Sequence, residues 1–305
     1  MKAEPASRRG VDPLGGLFIA LASLQFGGVV VLGKIVTRSG LPVSSYLSIR
    51  FAVAAFLLAV VLAATKQPLL AAKGEGWRLA LLGMAGYAVE AGLFFSALQR
   101  GTAAAVTLLF YTYPVIVTLV AAATGKGLPG RLVVAALALS LAGAAIVVVA
   151  GAGLVISASG VLFALGSAGT ISLFLLGLDA VLRGTNSLTA SLWVSGAAAV
   201  ALAAFALASG SGQWPVGARQ WAPVVACGVF TAGAFACLFG GLRRLGPVRT
   251  SIVSASEPLA ATVLAVMFLS EPLRTATLAG GVLILGGAVA ASVARREPAL
   301  EPPVP

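Results

Sequence analysis

Two carboxylates sit where the chain offers no water. Glu90 and Glu257 each fall near the middle of a long apolar run. A charge at such a depth costs at least ~2.5–3.5 kcal/mol on insertion scales, so each must face the protein interior or an aqueous cavity. A carboxylate in that setting can hold a substrate ammonium group or carry a proton. It can also be structural, bonded to Ser, Tyr or Arg. Tyr87, Glu90, Ala91 and Phe94 follow the i, i+3, i+4, i+7 spacing and share one helix face. A carboxylate flanked by rings suits a ligand with an amine and an apolar side chain, because ring faces attract cations. Tyr87 and Phe94 serve equally well as packing.

Pro114 and Pro258 occupy the middle of two other apolar runs. A proline inside a helix removes one backbone hydrogen bond and kinks it. Such kinks free a carbonyl near the centre of the bilayer and predict a pair of hinges. Tyr111 and Tyr113 flank the first, and Ser254 and Glu257 the second. Gln25 is the strongly polar residue deep in the first run, and Thr170 and Thr231 are polar at depth in the second half. The expected substrate-contacting set is therefore Gln25, Tyr87, Glu90, Phe94, Tyr111, Tyr113, Thr170, Thr231, Ser254 and Glu257. Arg50 is expected to pair with a buried carboxylate near the outer face, or else to attract an anionic group; Lys34 is expected to snorkel. There is no His, and Cys227 and Cys237 have no metal-ligand neighbour. No metal or other cofactor is expected. No Gly-x-Ser-x-Gly elbow is present, and no enzyme is expected.

The elements that must position these residues follow from composition. Hydrophobic residues make up 59% of the 305, charged residues 10%, and mean hydropathy is +1.04. A soluble domain carries roughly 25% charged residues. Ten apolar runs can be counted, at 14–37, 44–65, 77–98, 103–124, 131–149, 157–180, 188–208, 220–242, 248–269 and 276–294. Each approaches the ~20 residues that cross a bilayer as a helix. Backbone groups in lipid must be satisfied internally, so runs of this length predict an all-α integral membrane protein. The net charge of +11 sets orientation and does not mark a nucleic-acid patch. With a cytoplasmic N-terminus, only 4 of the 20 Lys and Arg (Arg38, Arg100, Arg219 and Arg274) lie outside, Lys34 and Arg50 lie within spans, and 14 lie inside. The positive-inside rule then places both termini, and the tails 1–13 and 295–305, in the cytoplasm.

The chain also matches itself at a constant offset of 144 residues. Gly33 falls on Gly177, Trp77 on Trp221, Arg100 on Arg244, Pro114 on Pro258 and Gly143 on Gly287. The two copies are 14–150 and 157–294. Five spans per copy is an odd number, so the second copy enters the membrane from the opposite side. Two inverted five-helix repeats with an axis in the membrane plane are the architecture of many transporters. Glu90 mates with Ala234, Glu257 with Tyr113 and Gln25 with Gly169. These mismatches on a shared scaffold predict where a substrate is read. Gly143, Gly280, Gly287 and Ala291 predict a packing seam between the fifth and tenth spans.

This pattern resembles the drug/metabolite transporter superfamily, in particular its ten-helix family with two EamA-type repeats and its amino-acid exporter branch. The residues that carry the resemblance are Arg50-Phe51, Ala97-Leu98, Pro114, Pro258, Glu271-Pro272-Leu273 and the run Gly280 to Gly287. The first copy has Gly127-Leu128-Pro129 where the second has Glu271-Pro272-Leu273. The resemblance implies a basket-like bundle in which helices 1, 3, 4, 6, 8 and 9 line a central cavity, with 5 and 10 outside. It also implies export of small metabolites, often amino acids, by alternating access.

The expected function is multi-pass transport in a bacterial inner membrane, exporting amino acids or similar small zwitterions from a monomer or weak homodimer in the lipid bilayer. An exporter of cationic drugs, sugars or nucleosides is the alternative. A lipid-scrambling or structural module is more remote, since it has no need of two mid-membrane carboxylates.

Overall fold

The computed structural model describes residues 12–101, 103–126, 129–151, 156–269 and 275–293. Backbone in this apolar chain pairs with itself locally, and the elements are helices: α1 Pro13–Arg38, α2 Val43–Ala64, α3 Gly76–Leu98, α4 Ala103–Phe110, α5 Tyr113–Ala121, α6 Arg131–Gly151, α7 Ala158–Val181, α8 Ser187–Ala208, α9 Gly217–Leu245, α10 Pro247–Ser254, α11 Glu257–Leu269 and α12 Thr275–Val293. Among the described residues there is no strand, only a bridge between Gly101 and Ile156. Seven helical stretches are long and apolar enough to cross a membrane: Pro13–Gly33, Val43–Ala64, Gly76–Leu98, Ala105–Thr124, Ala158–Val181, Ser187–Ala208 and Gly217–Leu245. Arg131–Ile146 and Leu278–Ala291 are shorter apolar helices. The expectations for the N-terminal residues 1–11, for 295–305, for the Lys34 side chain and for Glu271-Pro272-Leu273 lie outside the described residues.

Side chains close three of the helix starts. Asp12 accepts from the Gly15 N–H at 2.9 Å, Ser157 from Gly160 at 3.1 Å and Asn186 from Thr189 at 2.7 Å. Each satisfies one of the donors that the first turn leaves unpaired. Gly246 alone separates α9 from α10, with φ 77° and ψ 170°. That region is open essentially only to glycine.

The repeat is visible in the element boundaries. α2 and α8 start at 43 and 187 and end at 64 and 208; α4 and α10 start at 103 and 247 and end at 110 and 254. The offset is 144 at all four points. The packing follows the same exchange. α1 lies on α9 and α7 on α3, while α2 packs on α8 and α6 on α12. Swapping the halves turns the α1–α9 contact into the α7–α3 contact and returns α2–α8 and α6–α12 to themselves.

The self-mated pairs run antiparallel. Ser45, at the start of α2, donates to the Ser211 carbonyl beyond the end of α8 at 2.9 Å. Thr189, at the start of α8, donates to the Pro68 carbonyl beyond the end of α2. On the other flank, a Cβ at Gly143 would meet the Gly280 carbonyl oxygen at 2.5 Å and Ile284 at 2.8 Å. A Cβ at its mate Gly287 would meet the Ala136 oxygen at 2.7 Å and Ser140. Antiparallel mates require an axis perpendicular to the helices. Lipid supplies no hydrophobic drive between helices, so close backbone contact and dispersion hold this seam together.

The prolines correct the sequence reading. Pro114 and Pro258 do not kink continuous helices. The chain breaks at 111–112 and 255–256, and each proline is the second residue of the helix that follows. In a first turn the missing N–H has no intrahelical acceptor to lose, so proline is well accommodated there. The breaks close on tight bonds, Thr112 N–H to Leu109 O at 3.2 Å and Ser256 N–H to Val253 O at 3.0 Å.

Candidate functional site

A cavity of about 80 Å³ lies between the two halves, and both carboxylates line it. α1 contributes Phe26, Val29 and Val30, and α2 contributes Arg50. α3 contributes Tyr87, Glu90, Ala91, Phe94 and Phe95. Phe110 and Tyr113 come from either side of the first break, Ser254 and Glu257 from either side of the second, and Ile171, Leu175 and Leu238 complete the wall.

The α3 face is set by a local irregularity. Leu82–Tyr87 forms a π-helical turn immediately before Ala88. The extra residue in such a turn re-phases everything after it by roughly 100°, one residue's share of a helical turn. Gly83 permits the bend to seat: a Cβ there would meet the Val194 carbonyl oxygen of α8 at 2.5 Å. Tyr87, at the end of the turn, and Glu90, Ala91 and Phe94 beyond it all line the cavity. Glu90 is 6% exposed, and Ser167 of α7 donates to its Oε1 at 3.0 Å.

Glu257 is the first residue of α11. The positive end of the helix dipole favours an anionic side chain at that position. The second break therefore supplies a place for the charge as well as a place for the proline. Tyr113 donates to the Ser251 carbonyl at 3.4 Å, and Ser172 donates to the Tyr113 carbonyl at 3.2 Å, which ties the first break to the second half. Rings back the site. Tyr87 meets Phe235 at 4.6 Å, Phe174 at 5.2 Å and Phe51 at 5.6 Å, edge to face.

Arg50 is placed differently from its sequence expectation. It lies seven residues into α2, about 10 Å down the helix axis, and only 3% of it is exposed. Its Nε donates to Thr231 of α9 at 2.7 Å, and its guanidinium carbon lies 4.8 Å from the centre of the Phe51 ring. It lines the same cavity as Glu90 and Glu257, yet its hydrogen bond goes to a neutral hydroxyl.

Of the ten expected contact residues, Tyr87, Glu90, Phe94, Tyr113, Ser254 and Glu257 line the cavity. Four do not. Gln25 turns toward α9, donating to its own Leu21 carbonyl at 3.0 Å and approaching Cys237, because Gly233 leaves room there. Thr170 bonds to the Gly166 carbonyl of its own helix at 2.8 Å. Thr231 stands one layer back and holds Arg50. Tyr111 is buried behind the lining, against Phe110 and Tyr113. Ser167 was missed, and Arg50, expected near the outer face to pair with a carboxylate or attract an anion, lines the cavity. A larger groove of about 580 Å³ between α2, α3 and α8 has no ionisable side chain in its walls. Among the described residues no cluster could hold a metal, and both cysteines are free.

The EamA-like transporter family model matches residues 13–149 and again residues 158–293, one copy in each half. The chain belongs to the EamA-like transporter family. As a family member it is a multi-pass membrane protein of a transporter family for small solutes, within the drug/metabolite transporter superfamily. A solved crystal structure of another protein superposes with a TM-score of 0.76, covering 91% of this chain and 96% of that one. At 23% identity that likeness concerns the fold alone. No curated protein matches the chain.

Proposed function

We propose that this EamA-like protein exports amino acids or similar small zwitterions across a bacterial inner membrane by alternating access. The observation that carries the reading is the convergence of Glu90, Glu257, Tyr87, Phe94 and Tyr113 on one cavity between the halves. A carboxylate can hold an ammonium, and the rings accept an apolar side chain and add cation–π attraction. The halves cross the membrane ten times in total, in repeats 14–150 and 157–294, with both termini cytoplasmic, as a monomer or weak homodimer.

The mechanism uses the breaks. Each broken span presents polar backbone and one cavity residue on either side of a two-residue gap, so tilting a half-helix changes the cavity without unfolding a helix. At about 80 Å³ the cavity holds only a few waters. Substrate sites commonly span ~300–1,000 Å³, so loading requires the halves to part. Exchanging the conformations of the two pseudo-symmetric halves opens the cavity first to one side and then to the other.

The test is counterflow of labelled amino acids in liposomes containing the pure protein, with and without a pH gradient. Saturable counterflow that is lost in Glu90→Gln and Glu257→Gln supports the reading. Normal transport by both variants sinks the site. Counterflow of organic cations and of no amino acid moves the function to the cationic-drug alternative, which the excess of two acids over one arginine would favour.

A further inference from the structure

We propose that Arg50 is the carboxylate-binding residue of this cavity and sets its specificity for zwitterions over simple amines. The inference rests on the amino-acid reading above and deepens it. Arg50, Glu90 and Glu257 line one cavity, so a cationic and two anionic groups face the same small volume.

The hydrogen bonding shows how each charge is held. A guanidinium carries five N–H donors in a planar fork. Here Nε donates to Thr231, while the Nη groups have no partner in hydrogen-bonding geometry among the described residues. The Tyr46 hydroxyl stands alongside the guanidinium and interacts with it, but outside full hydrogen-bonding geometry. Glu90 is likewise held by a neutral group, Ser167. A purely structural ion pair would bind guanidinium to carboxylate. Instead a hydroxyl from the second half orients each charged group of the first half, and their charges remain available.

Unmade bonds on a buried guanidinium are costly, and a ligand carboxylate meets the fork with two parallel bonds. The Phe51 face, 4.8 Å from the guanidinium carbon, fixes its plane. The site also reads in one direction only. The repeat mate of Arg50 is Val194, which is fully buried, so the second half offers no equivalent cation there. An α-amino acid entering the cavity presents its carboxylate to Arg50 and its ammonium to Glu257 or Glu90, with its side chain among the rings.

The experiment is equilibrium dialysis of the full chain in nanodiscs against labelled L-amino acids, each paired with the amine lacking its carboxylate, such as phenylalanine with phenethylamine. Charge-assisted bonds of this kind are worth ~1.5–3 kcal/mol, so the wild-type protein is expected to prefer the amino acid at least about tenfold. Arg50→Gln is expected to bring the pair within about threefold, mainly by weakening the amino acid. A structural role would instead weaken both ligands alike and leave the preference intact, which overturns the proposal. Should Arg50→Gln fail to fold, the wild-type comparison still decides: amine and amino acid binding equally overturns the role of Arg50 while leaving the amino-acid reading in place. Binding of neither class overturns that reading, and this one with it.

Discussion

Two adjacent glycines on α12 make opposite predictions. Gly287 faces α6, and an added Cβ would meet the Ala136 carbonyl oxygen at 2.7 Å, the Ser140 backbone nitrogen at 2.9 Å and the Ser140 hydroxyl. Two of these are backbone atoms of the opposing helix and cannot swing aside. Gly286 is exposed, and an added Cβ there meets nothing within 4 Å. Glycine to alanine favours a helix interior by roughly 1 kcal/mol. Gly286→Ala should therefore be neutral or stabilising by up to about 1 kcal/mol. Gly287→Ala carries the same gain but must force the helices apart, an overpacking cost of about 1–3 kcal/mol with the rigid contacts pointing to the upper end. The net expectation is a loss of about 1–2 kcal/mol. Gly143→Ala should lose a similar amount, since its Cβ meets the Gly280 carbonyl oxygen at 2.5 Å and the Ile284 nitrogen at 2.8 Å. Reversible unfolding in mixed micelles, titrated with denaturing detergent, measures all three. A Gly287→Ala protein as stable as Gly286→Ala would refute the antiparallel seam. A loss at Gly287 with none at Gly143 would refute the two-fold relation of the halves.

Ser167→Ala should weaken amino-acid binding less than Glu90→Gln, since it removes one bond to the carboxylate and leaves the charge; dialysis with the labelled ligand ranks them, and the reverse order contradicts the site. Glu75, just before α3, is pulled in opposite directions. Partial burial, the largest single influence, pushes its carboxyl up, but bonds from Thr185, Gly184 and Arg183 together hold it below the usual range. The Gly184 and Thr185 N–H groups donate at 2.7 and 2.8 Å. Its stabilising contribution is thus complete above ~pH 4.3 and fades as pH falls through the lowered value. Unfolding midpoints between neutral and acid pH should fall less steeply in Glu75→Gln; an identical acid limb would remove this clasp from the account. Pro114→Ala and Pro258→Ala should let the half-helices join, slowing counterflow more than they weaken binding. Unchanged turnover in both would show that the breaks do not act as hinges.

Part of the site could be read along the chain. Tyr87, Glu90 and Phe94 share a face because helical spacing makes them do so, and all three line the cavity. Gln25 and Arg50 carried the same cue, a polar residue inside an apolar run, yet their outcomes differ. Gln25 turns to a glycine on α9, and Arg50 turns to the cavity under the hold of Thr231. Nothing near either residue in the sequence separates the two cases. The π turn at Leu82–Tyr87 was equally invisible, since neither it nor the close approach of Gly83 to the α8 backbone has a mark in hydropathy.

The sequence by itself determined the membrane class, the helical segments, the duplication and the placement of Glu90 and Glu257 inside apolar runs. These follow from local terms: the cost of unpaired backbone and of charge in hydrocarbon depends on depth alone. Tertiary structure decided which polar residues meet. In helices apolar on every side, hydropathy reports how far a residue lies along the span but not which way it points. That direction was set by glycine contacts across seams, by the breaks at 111–112 and 255–256, and by hydroxyls from one half that orient charges of the other.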